Sequence, residues 1–164
     1  MWRDYFGSDS EIYGVDIEEA CRAYADECVG IFIGDQADRK FWRDLQQQLG
    51  TVDIVIDDGG HEPHQQMITL EESLRLLRPG GVYVCEDIHG TLNPFMSYIN
   101  GFADGLNGAD KRLDGEELGY KANAIQSAVH SIHHYPYLVV IEMRAGPMRE
   151  LRAPRHGTQW QPFL

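Results

Sequence analysis

Four short apolar runs, each closing on acidic residues, alternate with stretches of helical spacing, and this alternation restricts the chain to few folds. The runs are Ile12-Tyr13-Gly14-Val15-Asp16, then Ile31-Phe32-Ile33 before Gly34-Asp35, then Val52-Asp53-Ile54-Val55-Ile56 before Asp57-Asp58, then Val82-Tyr83-Val84-Cys85 before Glu86-Asp87. Between them, Ile17 to Cys28 carries helix formers with acids in its first turn. Gln36 to Leu49 places Phe41, Trp42, Leu45 and Leu49 on one helical face and closes on Gly50, and a helix from about His64 to Leu77 is terminated by Pro79-Gly80-Gly81. Strands that read as unbroken apolar runs are buried on both faces, which requires helices on both sides of a parallel sheet. The expected fold is therefore α/β, a doubly wound, Rossmann-like, mostly parallel sheet.

The rest of the chain changes character. A Gly-rich stretch runs from Phe95 to about Asp114, and after it Ala128 to His133 and Leu138 to Met143 are β-rich runs joined by His134-Tyr135-Pro136-Tyr137. This predicts a closing antiparallel hairpin. Arg144 to Leu164 has scattered Arg, Pro and aromatic residues and reads as coil. The expected organisation is one α/β domain over 1–143 and a tail over 144–164. A length of 164 residues suits one core.

A formal charge of -12 repels phosphate backbones and anionic headgroups, so neither nucleic acid nor membrane is an expected partner. No run approaches the length of a membrane span, and Met1-Trp2-Arg3-Asp4 is unlike a signal peptide, so the expected location is cytoplasmic. Cys21, Cys28 and Cys85 form no C-x-x-C pair and are assigned to packing, Cys21 and Cys28 on one helical face.

In open α/β sheets ligands bind beyond the carboxyl ends of the strands, where this chain places Asp16, Asp35, Asp57-Asp58 and Glu86-Asp87. A single acid there is commonly a helix N-cap, but capping does not explain two adjacent acids at two successive strand ends. Consecutive residues point to opposite sides, so each pair should send at least one carboxylate into the crevice. Carboxylates about 4 Å apart repel by roughly 4 kcal/mol at an effective dielectric of 20, and a divalent cation removes that repulsion. Oxygen ligands favour magnesium, with calcium or manganese as alternatives, over zinc. The bland alternative keeps the carboxylates apart and solvated on their loops. His61, three residues beyond Asp58 in a Gly-Gly turn, is a candidate general base, His89 a candidate substrate contact, and His64 a candidate helix cap. His130, His133 and His134 are assigned to strand packing.

Asp53 to His61, with Arg78-Pro79-Gly80-Gly81 running into Glu86-Asp87, resembles the class I, magnesium-dependent O-methyltransferases that modify macrolide sugars, the macrocin and mycinamicin type. With Gly14-Val15-Asp16-Ile17, Gly34-Asp35-Gln36 and the terminal hairpin, the resemblance covers most of residues 1 to 143. It implies S-adenosylmethionine as cofactor and a sugar hydroxyl of a glycosylated small molecule as acceptor. It further implies Asp58, Glu86 and Asp87 as magnesium ligands and His61 as the base. Asp16 would hold the cofactor ribose, Asp35 and Gln36 would lie along the adenine, and Asp57 would face its methionine part. The family also carries a first strand and a Gly-rich turn that the residues before Ile12 lack, Met1 to Phe6 reading as the end of the helix that follows them. That leaves open edges between the strand ending at Asp16 and the strand ending at Asp57. The expected consequences are self-association through those edges, or a rearranged sheet, and weak cofactor binding. Two alternatives remain: a cephalosporin hydroxylase-like enzyme on the same scaffold, and a catalytically silent fragment acting as an assembly or binding module.

Overall fold

The computed structural model describes residues 2–27, 30–108, 110–114, 117–148 and 151–154. A short helix α1 (Trp2–Phe6) precedes strand β1 (Tyr13–Asp16), which pairs in parallel with β2 (Gly30–Ile33). The segment between them is a 3-10 helix, Glu19–Glu27, where an α-helix was expected. Of Glu19 to Ala25 all but Cys21 are exposed, so this stretch buries almost no apolar face to reward regular α-helical packing. Cys28 lies outside the described residues.

Helix α2 (Arg39–Leu49) starts where the Asp38 carboxylate accepts the Lys40 N–H at 2.8 Å, and it buries Trp42 and Leu45. Strand β3 (Val52–Asp57) follows, then helix α3 (Pro63–Leu76), opened by a capping box between Glu62 and Gln65 with Pro63 in its first turn. Strand β4 (Leu77–Cys85) begins directly at the helix end, earlier than the sequence suggested, and contains Pro79-Gly80-Gly81. Its pairing with β3 jumps from Val52↔Leu77 to Ile54↔Val82, so Pro79, which has no N–H to donate, sits where the ladder is interrupted.

The Gly-rich stretch holds helix α4 (Pro94–Asn107), whose N-cap Asn93 accepts the N–H groups of Phe95 and Met96. Gly105 within it is a packing position: a Cβ there would overlap Ile125 of the short helix α5 (Ala124–Ala128). Strands β5 (Asp110–Asp114) and β6 (Glu117–Lys121) lie between these helices. The expected hairpin is present as β7 (Val129–Tyr135) and β8 (Leu138–Met143). In the tail, β9 (Leu151–Pro154) pairs antiparallel with β6, where coil was expected, and completes a three-stranded sheet. So short a strand carries no detectable period, and its partner lies far away in sequence.

The central sheet has the order β3-β4-β8-β7, parallel at β3-β4 and antiparallel beyond, and β1-β2 forms a separate parallel pair. The sheet is thus divided between the strand ending at Asp16 and the strand ending at Asp57. The main core joins Leu70, Tyr83, Cys85, Phe95, Ile99, Val139 and Ile141, and a second cluster of Trp42, Leu45 and Leu76 receives Phe32 of β2 and Val52 and Val55 of β3. Arg39 of α2 ties the two helices together by ion pairs to Glu71 and to buried Glu72 of α3. No helix among the described residues is long and apolar enough to cross a membrane.

Candidate metal and cofactor site

Parallel pairing sets Asp57 opposite Cys85, so both acid pairs leave the sheet at the same end, and the Glu86 N–H donates to the Asp57 carbonyl at 2.9 Å. From there the chain reverses tightly. His61 has φ 56° and Asp87 φ 51°, left-handed conformations that cost a side-chain-bearing residue about 1–2 kcal/mol each. Together they bring one acid of each pair to a common point: carboxylate oxygens of Asp58 and Asp87 and a ring nitrogen of His61 all lie within 4.8 Å of one another, all three residues exposed. Glu86, half-buried, is outside this group of three.

Asp57 turns the other way. It is buried, the Tyr83 hydroxyl donates to its Oδ2 at 3.1 Å and the Gln36 amide to its Oδ1 at 3.1 Å. Burial raises its carboxyl above the usual value, while the bonds from Tyr83, Gln36 and the Gly59 N–H pull it back. Burial likewise pushes the Cys85 thiol up to about 12, an inert packing residue as expected. Tyr83 belongs to this buried group and had no sequence signal beyond its place in an apolar run.

The Gln36–Asp57 bond sets the carboxyl end of β2 beside that of β3, so Asp16 and Asp35 share the edge that carries the acid pairs. Asp16, half-buried at the end of β1, is held below the usual carboxylate range by the Glu18 N–H and the Cys21 thiol. Asp35 is exposed and accepts the Ala37 N–H at 2.7 Å. Gln36 is engaged at both ends of its amide, with Asp57 and Thr69 on the nitrogen and the Gly60 N–H on the oxygen.

His89 stands 3.9 Å from Asp87, its ring centroid 5.4 Å from that of Tyr137 at the hairpin tip. His64 is exposed and does not cap α3, a role taken by Glu62. His130, His133 and His134 are exposed on β7 and so do not pack in the core, although His133 is 3.0 Å from the Ser131 hydroxyl.

No family model matches the chain. It is 31% identical over 157 residues to the 8-demethyl-8-alpha-L-rhamnosyl tetracenomycin-C 2'-O-methyltransferase of Streptomyces olivaceus, a match covering 88% of this chain and 40% of that protein. It is 32% identical over 134 residues to the demethylmacrocin O-methyltransferase of Streptomyces fradiae, covering 82% of this chain and 30% of the relative. The chain resembles the macrolide-sugar O-methyltransferases. It spans 30–40% of the length of these sugar O-methyltransferases. Its fold is that of a class I methyltransferase: it superposes with a TM-score of 0.71 and 23% identity on the methyltransferase MycE of the mycinamycin biosynthetic pathway, solved in complex with Mg and SAH, over 87% of this chain and 39% of MycE.

Proposed function

We propose that this chain supplies the metal site and the general base of an S-adenosylmethionine-dependent, magnesium-assisted O-methyltransferase acting on a sugar hydroxyl of a glycosylated natural product. The observation that carries this reading is the convergence of Asp58, Asp87 and His61 beyond the carboxyl ends of the parallel strands β3 and β4. The donor set fits the ion: two exposed carboxylates drawn together by left-handed turns repel one another, and hard oxygen ligands suit magnesium. Asp58 and Asp87 hold the ion, with Glu86 completing the acidic edge. An ion held there would supply Lewis-acid activation of an acceptor hydroxyl. His61 then takes the proton from that hydroxyl, its ring lying next to the carboxylates that fix the acceptor's place. Asp16 and Asp35, at the ends of β1 and β2, face the ribose and adenine of S-adenosylmethionine, the methyl donor. Gln36 and Asp57, whose polar atoms are engaged internally, shape the wall between cofactor and metal. The protein works in the cytoplasm on a small molecule. It also self-associates, because β1 pairs only with β2 and β3 is an edge strand among the described residues.

Methyl transfer from isotopically labelled S-adenosylmethionine, measured with magnesium present and chelated, tests the reading. Labelled sugar is expected on glycosylated acceptors, with none on the corresponding aglycones. Transfer that is indifferent to chelation, or that prefers a plain catechol, would overturn it.

A further inference from the structure

Gln36 is fixed at both its backbone and its side chain. The Trp42 indole N–H of α2 donates to its carbonyl at 2.9 Å. Its side-chain amide donates to Asp57 Oδ1 at the end of β3 and to Thr69 Oγ1 in α3, each at 3.1 Å, and its Oε1 accepts the Gly60 N–H at 2.6 Å. One side chain therefore binds the loop after β2, the end of β3 and the flank of α3 to a single backbone amide.

That amide belongs to the turn between Asp58 and His61. A Cβ placed on Gly59 would overlap Gln36 Oε1, and one placed on Gly60 would overlap Gln65 Oε1, so a side chain at either position would have to displace a glutamine amide. The Gln65 amide is itself held, accepting the Glu62 N–H in the capping box of α3. The next residue is His61, in a left-handed conformation that an unrestrained chain would leave. The clamp on Gly60 opposes that relaxation.

We infer that Gln36 is a positioning residue, which holds the Asp58–His61 turn in the shape that lets Asp58 and Asp87 share a divalent cation and thereby sets the affinity of the site. The inference rests on the reading of Asp58 and Asp87 as metal ligands. It differs from a general structural role because it predicts loss of metal affinity out of proportion to loss of stability. Supporting groups outside the ligand set typically change metal affinity by about 10–100-fold when removed.

The test is Mn2+ titration of the purified chain, followed by electron paramagnetic resonance well below the melting temperature, with thermal unfolding measured alongside. Gln36→Ala should weaken Mn2+ binding by about tenfold or more. Gly59→Ala, which leaves Gln36 in place but drives its amide off Gly60, should do the same, and it serves if Gln36→Ala does not fold. The double variant should bind no worse than Gln36→Ala alone, because Gly59→Ala acts by displacing an amide that is then absent. Arg39→Ala, which removes the ion pairs between α2 and α3, should lower the melting temperature and leave Mn2+ binding unchanged. Parent-like binding in Gln36→Ala or Gly59→Ala, additive losses in the double variant, or an equal loss in Arg39→Ala would each overturn the positioning role while leaving the metal site intact. Failure of the parent to bind Mn2+ would overturn the metal reading and this inference with it.

Discussion

Replacing Tyr83 by Phe isolates the support under the acid pair at the end of β3. Tyr83 is 0% exposed, and its hydroxyl donates to Asp57 Oδ2, from which the Cys85 sulfur stands 4.0 Å away. Phenylalanine keeps the ring packing and removes a donor to a buried carboxylate, a bond that contributes about 1.5–3 kcal/mol. The expected loss at neutral pH is about 2 kcal/mol, or about 4–8 °C in melting temperature for a chain of this size. The loss should depend on pH in a defined direction. Burial raises the Asp57 carboxyl above 3.8 in the folded state, so its ionisation is a cost that enters as pH rises through the folded value and is absent below 3.8. Removing the donor raises the folded value further, so the deficit is largest above it and shrinks as pH falls towards 3.8. Urea unfolding of parent and variant, followed by circular dichroism at neutral pH and near pH 4, measures both terms. A deficit below about 0.5 kcal/mol, or one unchanged between the two conditions, would refute the account of Asp57 as a buried, donor-dependent acid.

Magnesium at about 100 times its dissociation constant should stabilise the chain by about 2.7 kcal/mol, and Asp58→Asn or Asp87→Asn should remove that gain in a thermal scan. In steady-state assays His61→Ala should slow methyl transfer by about 10²–10⁴-fold; retained turnover would remove His61 from its role as base. The open edges should make the chain self-associate in light scattering. Ile54→Lys on β3 or Val15→Lys on β1, each replacing a residue 38% exposed, should disperse it, because edge lysines oppose strand addition.

The alternation of apolar strands with helices, the acids at the strand ends and the closing hairpin were legible because each is written in local periodicity and turn chemistry. The Asn93-Pro94 pair also carried a helix start, an N-cap followed by proline, which the glycines of the following stretch obscured. Gly105 is small because α5 packs against it, and no local pattern distinguishes that need from the need for a turn. The pairing of β9 with β6 and the division of the sheet at β1 and β3 likewise depend on partners remote in sequence. At the site, alternation along a strand required one acid of each pair to point outward. The choice of Asp58 over Asp57 belongs to tertiary structure, because Tyr83 from β4 and Gln36 from the loop after β2 supply the donors that make an inward Asp57 tolerable. Sequence places the carboxylates at one edge of the sheet. Hydrogen bonds from remote elements decide which of them stay in water.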